Sequence, residues 1–432
     1  MAKKIRDSVS AERPRSDINS LLSYIEADLG GQGVVIQRGK HLIGRFDLRR
    51  RCGIPSLDIA TGGGLPPGLC QIDGPEGTGK NLLVYHYFAR VQQVYKEKTR
   101  IFMLCMEFPF DKMFAHKIGF RVPFSDAEIE IEQRKKREKN EPLLTKKEIE
   151  ALQDDTNLGE FVLLRGPAEG NLEAVVRLIA DNSFQIGAID SWDAMLTTSE
   201  EETPLDDDPR IANPANIQTR WMRKVHAAMA PIKTCPLCWN RNLEFKKLGA
   251  GSYTYYCECG WKGKEPYMEE NETTIIGIRQ VRANLNRASM RSREWKVGGA
   301  NALKHGKLVD IQLRPGEHIK DKDGNKIGKE IVWEITKGKA GTHEGKTGAF
   351  RYYFDPPAVD VDLDMFAWCL NEGIISRAGG TYTVDPQDLG KEPYKFRGQG
   401  EVLEALASDQ QFKDILWKLM LRKADLTHIR ER

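Results

Sequence analysis

Two groups of residues in this sequence have the types and spacing for chemistry, one suited to phosphate and one to a metal. Gly74-Pro75-Glu76-Gly77-Thr78-Gly79-Lys80-Asn81 follows the strand-like run Leu69-Cys70-Gln71-Ile72-Asp73 and opens the apolar segment Leu82-Leu83-Val84. Such glycines let consecutive backbone N–H groups turn toward one anion. The following helix N-terminus adds positive potential, and the lysine reaches the β- and γ-phosphates of a nucleotide. Gly74-x4-Gly79-Lys80 fits the Walker A pattern, but Asn81 stands where that pattern has the Ser or Thr whose hydroxyl binds magnesium. Nucleotide binding is therefore better supported than hydrolysis. Two buried-strand runs downstream end in carboxylates: Ile101-Phe102-Met103-Leu104-Cys105-Met106 at Glu107, and Ile186-Gly187-Ala188-Ile189 at Asp190. The carboxyl ends of strands are where α/β sheets display ligand-facing residues. Glu107 is placed to orient a water against a phosphate, and Asp190 to hold magnesium directly or through water.

The metal group is Cys235-x2-Cys238 and Cys257-x-Cys259, separated by eighteen residues that include Tyr253, Tyr255, Tyr256, Arg241, Lys246 and Lys247. Two thiolate pairs at that separation suit one tetrahedral structural zinc, although the second knuckle is one residue shorter than in the usual ribbon. Four packed thiols without metal are the bland alternative. A closed four-thiolate site is structural and folds a small module able to contact DNA or protein; Lys246, Lys247 and the tyrosines are its candidates for holding DNA. Beyond it, the strand-like Thr274-Ile275-Ile276-Gly277-Ile278 runs into the densest basic stretch of the chain, with Arg279, Gln280, Arg282, Arg287, Arg291, Arg293 and Lys296. With Asn, Gln, Ser and Gly interspersed, this stretch is expected to be a loop lining a phosphate backbone.

These residues need a scaffold, and 432 residues exceed one ordinary core, so two or three domains are expected. The net charge is only +3, so a nucleic-acid partner must be met by local basic patches. No run approaches the ~18 apolar residues of a membrane span, and the charged N-terminus has no apolar stretch behind it. A cytoplasmic protein is expected, with its eight cysteines kept reduced. Residues 18–29 carry apolar side chains at helical spacing, and Val34-Val35-Ile36 reads as a short strand. Periodicity alone leaves open whether these two pack on their own domain or on a neighbouring subunit. Phe161-Val162-Leu163-Leu164 reads as a strand, and Leu172, Val175, Val176 and Ile179 as one face of a helix starting near Asn171. Residues 125–158 form a charged helical excursion with a capping box at Thr145 and Glu148. Strands at 308–313 and 330–335 are joined across Asp323-Gly324-Asn325, and a small α/β domain begins near Asp360.

From about Asp17 to about Leu421 the chain resembles the RecA family of ATP-dependent DNA strand-exchange recombinases. The resemblance rests on Ser56-Leu57-Asp58-Ile59-Ala60 with Gly64-Leu65-Pro66, on the glycine loop, on Gln280-Val281-Arg282, on Gly298-Gly299-Ala300-Asn301-Ala302-Leu303-Lys304 and on Lys337-Gly338-Lys339. Residues 371–400 are similar to the small C-terminal domain of bacterial members. The resemblance implies a RecA-like P-loop ATPase core over 41–354, carrying the charged insertion 125–158 and a zinc-ribbon-like insertion 234–264. It also implies a polymerisation helix and strand within 1–40, which resolves the alternative above, and a C-terminal domain over 355–432. ATP would bind through the residues of the loop 74–81, with Asp111 and Phe114 on the adenine side and with Lys337 and Lys339 reaching a neighbouring subunit's nucleotide. Glu107, Lys80 and Gln280 would be catalytic, Asn81 and Asp190 would hold magnesium, and Gln280 would sense the γ-phosphate. Residues 196–213 would form a first DNA loop. Arg282, Arg287, Arg291, Arg293, Lys296, Gly298 and Gly299 would bind DNA in a second. The implied partners are single- and double-stranded DNA and further copies of the chain in a helical filament.

The chain departs from the family at Asn81, in the enlarged 125–158, in the four-cysteine insertion, and in an acidic first loop with Glu200, Glu201, Glu202, Asp206, Asp207 and Asp208. Strand exchange is the expected activity. The alternatives are a DNA-coating filament gated by nucleotide with little hydrolysis, and a RecA-core motor.

Overall fold

Strands that bury both faces fix the centre of this protein, because every backbone polar group they carry needs a ladder partner and both faces need cover. The computed structural model describes residues 25, 45–107, 109–202, 213–247, 253–283, 295–297, 301–389 and 391–431. The expected polymerisation helix and strand lie outside these residues, apart from Ile25. In chain order the central strands are β1 (Gly68–Gly74), β2 (Arg100–Cys105), β3 (Glu160–Leu164), β4 (Ile186–Asp190), β5 (Thr274–Ala283), β6 (Trp295–Val297), β7 (Val309–Lys320), β8 (Lys326–Gly338), β9 (Thr347–Phe354) and β10 (Pro357–Val359). They form one sheet in the order β10-β9-β8-β7-β1-β5-β4-β2-β3, with β6 paired on β5. The run from β7 to β3 is parallel throughout. The edge hairpins are antiparallel. A large, mostly parallel sheet of this kind fits a RecA-like core.

Helix α1 (Lys80–Tyr95) covers one face, placing Leu83, Val84, Tyr87 and Phe88 against Ile72, Ile276 and Ile311. The other face is covered by helices Ala168–Asp181 and Asn213–Ala228 through Leu172, Val175, Ile179, Trp221 and Val225. Packing is close at Gly187, where an added Cβ would lie 2.0 Å from the Phe102 ring. The first of those helices begins at Ala168, three residues before Asn171, whose side-chain amide donates to the Pro167 carbonyl at 2.8 Å from inside the first turn. In the charged excursion, helices Asp126–Glu138 and Lys146–Gln153 both start with complete capping boxes, Ser125 with Glu128 and Thr145 with Glu148. Phe124, Ile129 and Leu152 give the excursion a small apolar centre of its own.

The hairpin expected across Asp323-Gly324-Asn325 is present but longer, its turn held by the Asp321 carboxylate accepting from the Asp323 and Asn325 amides at 2.9 and 2.8 Å. From Val361 on, a helix, a three-stranded antiparallel sheet and two further helices gather around Val402, Phe412 and Leu416. This part is tied to the helix Pro55–Ala60 by Asp364, which accepts from the Ser56 amide at 2.8 Å and its hydroxyl at 2.6 Å. Residues Arg45–Met229 and Glu272–Arg432 make one compact unit, whereas Ala230–Asn271 belongs to another. Among the described residues no helix is long and apolar enough to cross a membrane.

Candidate nucleotide site and metal centre

Sheet register brings four strand ends to one edge. Gly74 at the end of β1 lies opposite Gln280 on β5, and Asp190 at the end of β4 lies opposite Cys105 on β2. A bond of 2.7 Å from the Met106 amide to the Asp190 carbonyl then carries Glu107 alongside Ser191. The loop between β1 and α1 has the conformation its glycines permit, with φ of +70° at Gly77 and +85° at Gly79. A Cβ at Gly74 would meet Thr78 Oγ1 at 2.7 Å and the Leu313 carbonyl at 2.8 Å, so the loop's tight entry requires glycine. Thr78 Oγ1 donates to the Pro75 carbonyl at 2.7 Å, and Lys80 Nζ lies across the loop, donating to the Gly74 and Pro75 carbonyls at 2.9 and 2.7 Å. Lys329 of β8 adds a second ammonium, donating to the Gly77 carbonyl.

Beside the loop, Asn81 Nδ2 donates to Asp190 Oδ2 at 2.9 Å. Burial pushes the Asp190 carboxyl up to about 6; the Asn81 bond and Lys80 oppose that rise and Glu107 adds to it. Burial in turn lowers Lys80, against the charges of Asp190, Glu107, Glu76 and Asp193. A buried carboxylate beside an amide and a cluster of further acids fits a divalent cation, which would in turn hold the carboxylate in its charged form. Glu107 is held from two sides, by Ser191 Oγ at 2.9 Å and by Gln280 Nε2, while the Gln280 amide donates to Asp193 at 2.7 Å.

Other expected residues stand elsewhere. Asp111 caps the helix Lys112–Ile118, accepting from the Phe114 amide at 2.8 Å. Phe114 is half-buried with its ring 5.9 Å from that of Tyr85. Lys337 donates to the carbonyls of Lys304 and His305 at the end of the helix Asn301–Gly306, and Lys339 is exposed. Of the DNA-binding candidates, Arg282 and Lys296 face each other as backbone partners of β5 and β6; Arg287, Arg291, Arg293, Gly298 and Gly299 lie outside the described residues. The basic run is therefore a strand hairpin at its two ends, where Val281 and Ala283 oppose Val297 and Trp295, and not a loop throughout. In the acidic first loop, Glu200 to Glu202 belong to the short helix Thr198–Glu202, and residues 203–212 lie outside the described ones.

Sequence reasoning missed a buried charge network directly beneath the loop. Arg279, 0% exposed, donates to both oxygens of Asp73 at 3.3 and 2.8 Å; Lys307 lies 4.0 Å from Asp73 and pairs with Asp310. Two cations and two carboxylates thus join the strand that carries the glycine loop to the strand that carries Gln280. The available signal was a charged residue inside an apolar strand run at both Asp73 and Arg279.

In the separate unit, the sulfurs of Cys235, Cys238, Cys257 and Cys259 all lie within 4.8 Å of one another, with Cys235 to Cys259 at 3.6 Å and Cys238 to Cys257 at 3.4 Å. Zn–S bonds of ~2.3 Å in a tetrahedron require sulfur separations of ~3.8 Å, so the four thiols fit one zinc with little adjustment. Each knuckle turns back on itself: the Trp239 amide donates to the Cys235 carbonyl and the Gly260 amide to that of Cys257, both at 2.9 Å.

No protein-family model matches the chain. What the sheet and its edge define is a mixed α/β protein with a glycine loop of Walker A pattern and several carboxylates converging on it. Curated proteins named Protein RecA are similar to it over most of its length. That of Chlamydia abortus is 23% identical over 409 residues, spanning 94% of this chain and 91% of the relative. That of Thermotoga neapolitana is 23% identical over 422 residues, spanning 96% and 95%. That of Synechococcus elongatus is 28% identical over 220 residues, spanning 51% and 50%.

Proposed function

We propose that this protein is an ATP-dependent DNA recombinase that forms a filament on single-stranded DNA in the cytoplasm and pairs that strand with homologous duplex. The observation that carries the reading is the Glu107–Gln280 bond at the edge that also holds Lys80, Asn81 and Asp190, since Gln280 is the root of the basic segment. The loop 74–81 would take the triphosphate of ATP, with Phe114 on the adenine side. Asn81 and Asp190 would hold magnesium, which supplies neutralisation of the charge developing on the transferred phosphoryl group. Glu107 would orient the attacking water. The Gln280 side-chain amide would exchange its bond to Glu107 for one to the γ-phosphate, which would release Glu107 for catalysis and shift the DNA-binding segment. By reciprocity DNA should then stimulate hydrolysis, and ATP should tighten DNA binding. Lys337 and Lys339 would extend to a neighbour's nucleotide in the filament, and the four cysteines would hold a structural zinc.

A homologous pairing assay with a single strand and a matching duplex tests the reading; coated strands that never form joint molecules would replace it with the nucleotide-gated coating filament. That second reading is favoured by Asn81, whose amide oxygen stands one atom further from the backbone than the Thr hydroxyl it replaces and so sets the cation at a different distance. Asn81→Thr is expected to raise DNA-stimulated ATP turnover by roughly 3- to 10-fold, about 1 kcal/mol of barrier. A steady-state rate equal to wild type would remove Asn81 as the limiting feature. For the basic segment, replacing Arg287, Arg291 and Arg293 by Ala is expected to flatten the dependence of log K on log salt by roughly two units for single-stranded DNA, at ~0.7 per phosphate contact. ATP binding without DNA should be unchanged. An unaltered slope would move the DNA off this segment.

A further inference from the structure

The zinc module presents two unlike faces. Its strands Glu244–Lys247, Tyr253–Tyr256 and Lys262–Gly263 form an antiparallel sheet, so side chains alternate between the faces. Tyr255, 4% exposed, goes to the covered face with Leu243, Phe245 and Trp261. Tyr256, its neighbour, is half-buried on the other face, where the ammonium groups of the exposed Lys246 and Lys262 lie 5.2 and 5.4 Å from its ring centre and Lys246 also pairs with Glu244 at 3.8 Å. On the first knuckle, Trp239 is 59% exposed and Leu237 70%, and the Trp239 ring meets Tyr267 edge-on at 4.9 Å. A protein has little reason to leave a tryptophan so open on a turn as constrained as this one, where Trp239 has a φ of +62°.

The cysteine pairing relates the two aromatics. Trp239 follows Cys238 and Tyr256 precedes Cys257, and those two sulfurs are 3.4 Å apart. One metal would therefore bind next to the backbone of both aromatics, with lysines beside one of them. Aromatic rings interleaved with cations suit one ligand class above others, a strand whose bases are unpaired and can stack while its phosphates meet the lysines. The segment 230–271 carries six Lys or Arg and five Glu, so charge alone would not attract a duplex. We propose that Trp239 and Tyr256 form a base-stacking platform for single-stranded nucleic acid, held in place by the zinc and acting in addition to the basic segment. This rests on the reading above only in taking DNA as the polymer that the whole chain binds.

The test uses the full-length protein, oligothymidylate as probe, no nucleotide, and zinc content as the check on folding. Trp239→Ala with Tyr256→Ala should lower affinity roughly 10- to 100-fold while leaving the salt slope close to wild type, because no cation is removed. The Trp239→Phe, Tyr256→Phe pair should keep most of the binding. Loss of the basic segment's arginines has the opposite signature, a flattened slope with the platform intact, so failure of one reading is distinct from failure of the other. Should the alanine pair fail to hold one zinc per chain, fluorescence decides: oligothymidylate should quench wild type more than Trp239→Phe. Unchanged affinity in the zinc-loaded alanine pair would overturn the proposal. An equal loss in the phenylalanine pair, or equal quenching with and without Trp239, would also overturn it.

Discussion

Arg279→Met is expected to destabilise the core by about 3–5 kcal/mol, the usual consequence of removing one partner of a fully buried ion pair and leaving the other charged. Asp73 would keep only Lys307, 4.0 Å away and already paired with Asp310. Burial and Asp310 push the Asp73 carboxyl up from 3.8 to about 6, with Arg279 and Lys307 opposing. A carboxyl raised in the folded state binds more protons there than in the unfolded one, so it lowers stability as pH climbs from about 4 to about 6. Without Arg279 the folded value rises further and that declining window extends upward. The variant should therefore lose most against wild type at pH 7 to 8 and regain part of the difference near pH 5. Urea denaturation at several pH values measures this. Adding Asp73→Asn should recover part of the loss, since the orphaned charge goes with it. A midpoint equal to wild type at pH 7.5 would mean that the network contributes nothing to stability. Because the pair joins the glycine-loop strand to the Gln280 strand, its removal should also weaken the proposed mutual stimulation of ATP and DNA in whatever fraction stays folded.

Lys80→Ala is expected to reduce ATP affinity at least roughly 100-fold, about 3 kcal/mol or more, and to abolish nucleotide-dependent filament growth. The lost contacts are part of the reason. The larger part is that Lys80 offsets a set of carboxylates, Asp190, Glu107, Glu76 and Asp193, which would otherwise repel a triphosphate. The fold should survive, because the Lys80 ammonium bonds only loop carbonyls and α1 is anchored by Leu82, Leu83 and Val84. Titration of a fluorescent ATP analogue and light scattering with single-stranded DNA are the measurements. Filaments that grow normally with ATP in this variant would take the loop out of the mechanism.

What the sequence determined about this protein is local in origin. The glycine loop was legible because its conformation, with positive φ at Gly77 and Gly79, is encoded in eight consecutive residues and the strand and helix on either side. The capping boxes at Ser125 and Thr145 depend on contacts three residues apart, and the cysteine knuckles on spacings of one and two. Glu107 and Asp190 were legible as ends of apolar runs, although nothing local said what would hold them. The tertiary structure decided that Ser191 and Gln280 grip Glu107, across 84 and 173 residues of chain, and that Arg279 meets Asp73 across 206. Periodicity cannot reach such pairs, because parallel strands owe their neighbours to the order in which crossovers lay them down and not to their own residues. The same holds for Lys337, which the family resemblance turned toward a neighbouring subunit's nucleotide and the fold seats on the carbonyls that end a helix. For Trp239 and Tyr256 the residue types alone assigned no exposure: alternation about a short sheet and the closing of two cysteine turns left Trp239 open and Tyr256 half-buried while Tyr255 was covered.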